Sequence, residues 1–71
     1  MADAIAADYH ALTEEAVSAR AQPPGQRRRT LARLRRELRR IRARDYFPPA
    51  ERELAQRALD ELVALVEEPV G

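Results

Sequence analysis

The chain lacks cysteine, tryptophan and lysine, and it holds only three aromatic residues, Tyr9, Tyr46 and Phe47. Without cysteine there is neither a disulfide framework nor a thiolate metal site. No apolar run is long enough for a transmembrane helix, so no membrane partner is expected. The opening MADAIAADYH has no basic or apolar leader region, so it does not read as a signal peptide, and a cytoplasmic location is the expectation. The single histidine, His10, has no second ligand near it and reads as a surface residue. No nucleophile–base pair, metal-ligand spacing or phosphate-binding loop stands out. The reading is therefore of a non-enzyme with no catalytic residues, no metal, no cofactor and no small-molecule substrate.

What is present is arginine. The net charge of +1 over 71 residues conceals three blocks. Residues 1–20 carry −3, with Arg20 against Asp3, Asp8, Glu14 and Glu15. Residues 27–44 carry +9, with ten arginines against Glu37 alone. Residues 45–71 carry −5. Arginine suits bidentate contact with carboxylate or phosphate, although a GC-rich genome also writes arginine in place of lysine.

The basic block has helical order. Leu31, Leu34, Leu38 and Ile41 recur at helical spacing and fall within roughly 80° of arc. Arg28, Arg35, Arg39 and Arg42 flank one side of this seam, with Glu37 and Thr30 on the other. Arg29, Arg33, Arg36, Arg40 and Arg44 point away from any core and are candidates to meet phosphates or an acidic partner. Arg29/Arg33, Arg35/Arg39, Arg36/Arg40 and Arg40/Arg44 are like-charge neighbours four apart, and together they cost roughly 1–2 kcal/mol. Something must neutralise them.

The remaining elements follow the same logic. Residues 2–20 predict a first helix whose stripe is Ile5, Tyr9, Leu12 and Ala16, extended by Met1 and started by Asp3. AQPPGQ at residues 21–26 predicts a break. The arginine helix is expected over 27–44 and closes on the corner Arg44-Asp45-Tyr46-Phe47-Pro48-Pro49. Phe47, before proline, is pushed to extended geometry. Tyr46 and Phe47 are expected to wedge the corner against the core, with Asp45 bonding turn backbone or pairing with Arg42 or Arg44. A third helix over 50–67 has a wide stripe of Leu54, Ala55, Ala58, Leu59, Leu62, Leu65 and Val66, stopped by Pro69. Leu54, Leu59, Leu62 and Val66 are the candidate interface. An up-down-up path would bring Glu67 and Glu68 to Arg27–Arg29, with Glu14 and Glu15 close by, and would leave the outward arginines unreached.

The fold expectation is an all-α, antiparallel three-helix bundle over 1–71, a helical hairpin from 27 to 67 plus an N-terminal helix; the alternative is a helical hairpin with a looser first helix. The function expectation is a non-catalytic structural or interaction module, self-associating or docked on another domain. The second reading is an arginine helix that contacts nucleic-acid phosphates as part of a transcriptional regulator.

The stretch from Asp8-Tyr9 to Leu65 resembles the helical tail of the N-terminal domain of ChrB-type chromate-resistance proteins. The likeness is densest at Leu31-Ala32-Arg33-Leu34-Arg35-Arg36-Glu37-Leu38, leading into Ile41-Arg42-Ala43-Arg44-Asp45-Tyr46-Phe47. That family typically closes a leucine-patterned helix on an I-R-A-R-D-[FY]-F corner before a final helix. The resemblance implies a bacterial protein with a role in chromate-linked regulation. It carries over no chromate-handling residue, because the chain has no cysteine and Met1 is its one methionine.

Overall fold

The computed structural model describes residues 2–67, with side chains from Ala4 onward. The parts expected of Met1, Asp3, Glu68 and Pro69 lie outside the described residues and side chains. Three helices make an all-α bundle: α1 (Ala2–Ala19), α2 (Pro24–Arg44) and α3 (Glu51–Val66). Cross-helix ion pairs fix the path. Asp8 meets Arg44 and Glu15 meets Arg33, so α1 and α2 are antiparallel. Arg20 meets Glu61, so the ends of α1 and α3 lie together. The bundle is elongated, 44 × 18 × 16 Å.

α2 begins at Pro24, three residues earlier than expected. Proline breaks a helix interior, where its missing N–H and its ring interfere. In the first turn that N–H has no intrahelical partner anyway. Pro23 is extended (φ −59°, ψ 153°), Pro24 opens the helix, and the Arg27 N–H donates to the Pro23 carbonyl at 2.8 Å. The connection is therefore only residues 20–23. α1 tightens as it stops, with Arg20, Ala21 and Gln22 N–H groups bonded to carbonyls three residues back.

The core takes one stripe from each helix: Tyr9, Leu12, Ala16 and Ala19; Leu31, Leu34, Leu38 and Ile41; Ala55, Ala58, Leu59 and Leu62. The alanines decide the packing. With Ala16 and Ala19 on one helix and Ala55 and Ala58 on the other, little side-chain volume separates the backbones. α1 and α3 run close together over more of their length than any other pair. The fold is the expected three-helix bundle, and not its alternative of a helical hairpin with a looser first helix. α2 and α3 make the least extensive contact, and α1 binds both.

Leu34 is fully buried, whereas Leu54 is 55% exposed. In urea denaturation, Leu34→Ala should cost about 2–5 kcal/mol. Leu54→Ala should stay within roughly 0.5 kcal/mol of the wild type.

Candidate interaction surface

The charge on α2 is answered on one side only. Glu15 on α1 and Glu37 on α2 both accept from Arg33 at 3.0 Å, and Asp8 accepts from Arg44 at 3.2 Å. The hydrogen bond to Glu15 is the largest cause holding the Arg33 guanidinium above its ordinary pKa. The expectation that the outward arginines lie beyond the chain's own acids is corrected for these two. Both sit at the edge of the outward arc where α1 packs, and an arginine side chain is long enough to cross it. Arg40 lines the same α1–α2 cleft without an ion pair among the described residues.

The other side is unanswered. Among the described residues, Arg28, Arg29, Arg35, Arg36, Arg39 and Arg42 make no ion pair. Arg35, Arg39 and Arg42 line a groove against α3, facing Gln56 and Asp60. Asp60 is engaged by the Gln56 amide at 3.0 Å. The groove continues at the corner between Arg42, Pro48, Pro49, Arg52, Glu53 and Gln56.

The neutralisation expected at the other end of α2 takes a different form. Arg27 donates from Nη2 to the carbonyls of Arg20 and Gln22, at 3.0 and 3.1 Å. It satisfies the loop instead of meeting Glu67, which has no ion pair among the described residues. Glu14 pairs with His10 within α1, across the exposed surface. The Arg27 clasp is not legible from charge alone, since its acceptors are backbone oxygens.

The corner is held by Tyr9. Its hydroxyl donates to Asp45 Oδ2 at 2.7 Å, 36 residues away, while its ring is fully buried. Burial above all, then the hydrogen bond to Asp45 and that carboxylate's charge, pushes the phenol up to about 12; Arg52 and Arg42 oppose the shift. Asp45 therefore serves neither of the partners expected of its side chain, although its N–H does bond the Arg42 carbonyl at 3.2 Å. A buried phenol needs a polar partner, and an antiparallel α1–α2 pair puts the start of one beside the end of the other. Those two facts were the available signal for this bond.

Tyr46 and Phe47 do not wedge the corner. They are 86% and 90% exposed. Tyr9 and Ile41 already close this end of the core, and Asp45, extended at φ −95° and ψ 101°, leads the chain away from it. The expected interface also changes. Leu59 (4% exposed) and Leu62 (0%) belong to the chain's own core and are out of a partner's reach. Val66 packs partly against the core. Leu54 remains exposed, as do Leu65 and Val17.

No three His, Cys, Asp or Glu side chains converge as a metal site would require among the described residues. No described helix is long and apolar enough to cross a membrane. No family model, curated protein or solved structure matches the chain.

The raised Tyr9 pKa makes a pH prediction. The folded state keeps this proton to about 12, whereas the unfolded chain releases it near 10. Its contribution is complete below about pH 10 and is lost as the pH rises towards 12. Tyr9→Phe should lower stability by about 1 kcal/mol at neutral pH. The variant should also show a shallower fall in stability over pH 10–12, followed by urea denaturation.

Proposed function

We propose that this chain is a non-catalytic interaction module whose contact surface is the 45–50 corner together with the unanswered side of α2. One observation carries the reading: two aromatic rings stand 86% and 90% exposed on a corner that the Tyr9–Asp45 hydrogen bond holds in place. Exposed aromatics are a common anchor of binding surfaces. The arginine rows of α2, the helix that leads into this corner, repel one another, so they weaken the fold they belong to. A second copy of the chain is one partner open to such a module, with Val17, Leu54 and Leu65 supplying further apolar contact. The likeness of residues 31–47 to ChrB-type proteins supports a setting in bacterial chromate-linked regulation, in the cytoplasm.

A surface kept for binding should be dispensable to folding. Arg36→Glu replaces a repulsive neighbour of Arg40 with an attractive one, and should raise stability by roughly 0.4–1 kcal/mol. Tyr46→Ser combined with Phe47→Ser should leave the urea midpoint and helicity unchanged. A loss beyond about 1 kcal/mol in either variant would show that these residues hold the fold together, and would sink the reading.

A further inference from the structure

The α2–α3 groove and the corner differ from the rest of the surface in combining two features. Arg35, Arg39 and Arg42 follow one another along α2 with no ion pair among the described residues. Arg52 continues the row across the corner end of the groove. Arg35 to Arg42 spans roughly 10 Å along the helix at 1.5 Å per residue. At the end of this row stand Tyr46 and Phe47, with nearly all of their ring surface in water. A row of guanidinium groups beside free aromatic faces is what a flexible polyanion with planar bases requires. Arginine pairs with phosphate in a bidentate fork, and bases stack on aromatic rings without regard to sequence.

We infer that this groove and corner bind single-stranded nucleic acid, with phosphates along Arg35, Arg39 and Arg42 and unpaired bases on Tyr46 and Phe47. The inference rests on the interaction-module reading and names its partner. The rest of the surface argues against two other polyanions. A duplex keeps its bases stacked inside, so the rings would have nothing to receive. Acids also stand on both sides of α2, with Glu53 and Asp60 on the α3 wall of the groove itself and Asp8 and Glu15 across the helix on α1, so a narrow ligand held along the arginines meets them least. An acidic peptide would engage the arginines and leave the aromatic pair idle.

The test is fluorescence anisotropy of the full chain with labelled oligo-dT and oligo-U of about 12 nucleotides, and with a duplex of equal length, at low and high salt. A single strand should bind at low salt, with affinity falling steeply as salt rises. The oligo-dT and oligo-U arms separate DNA from RNA. Binding should weaken on the order of tenfold for each ring removed in Tyr46→Ser and Phe47→Ser. Arg39→Ala and Arg42→Ala should reduce the salt slope. Circular dichroism confirms that each variant is folded. Absent single-strand binding at low salt, a preference for duplex, or unaltered affinity in the double serine variant would each overturn the inference.

Two controls separate this from failure of the wider reading: titration with a poly-glutamate peptide, and molar mass by light scattering. Where single-strand binding is absent, peptide binding, or a mass above the 8.1 kDa of one chain that falls in the double serine variant, overturns the nucleic-acid partner and keeps the interaction module. A monomer that binds none of these ligands overturns both.

Discussion

The positive charge of α2 is the constraint that the rest of the fold accommodates. Ten arginines stand on or beside one helix with a single internal acid, Glu37. The helix forms because burial outweighs repulsion. Leu31, Leu34, Leu38 and Ile41 are each buried, at roughly 1.5–3 kcal/mol apiece, against about 1–2 kcal/mol for the four like-charge pairs. The acids of α1 do not supply the main stability, since half-exposed ion pairs contribute about 0–1 kcal/mol each. Their effect is directional. Asp8 and Glu15 engage the α1 edge of the helix and leave the α3 edge and the outward face positive.

α1 therefore has two jobs. Its alanines bring it close against α3, and its polar edge meets α2. Tyr9 joins these roles, because its ring fills the core and its hydroxyl holds Asp45. That single bond ties the first helix to the corner 36 residues later. Tyr9 occupies this end of the core, and Tyr46 and Phe47 stand outside it. The exposure of the corner thus follows from how the core is filled, and it presents two rings on a backbone restrained by Pro48, Pro49 and the Asp45 bond.

Much of this was legible in the sequence. The stripes of all three helices follow from apolar spacing, and the architecture follows from short connections between them. The differences between sequence and structure have physical sources. Pro23 and Pro24 predict a break because proline stops a helix from within, whereas Pro24 starts one here. The wide stripe of α3 overstated its buried face, since a stripe records apolar residues and not the room available to them. Leu54 and Leu65 lie at its edges and stay exposed. The corner sequence predicts Tyr46 and Phe47 wedged against the core, but Tyr9 fills that end and both rings stand exposed. The Arg33 and Arg44 pairs needed the reach of the side chain and the side on which α1 packs, which the one-dimensional pattern does not contain.

α1 is integral to the frame that fixes the corner. Amide hydrogen exchange, resolved by residue, tests it most directly. If the account holds, amides from Leu12 to Ala16 in α1 open with the same free energy as those around Leu34 in α2 and Leu59 in α3, as one cooperative unit. Rapid exchange throughout α1 while α2 and α3 remain protected would contradict it. That result would describe a two-helix hairpin with a detached first helix, and a corner that Tyr9 does not hold.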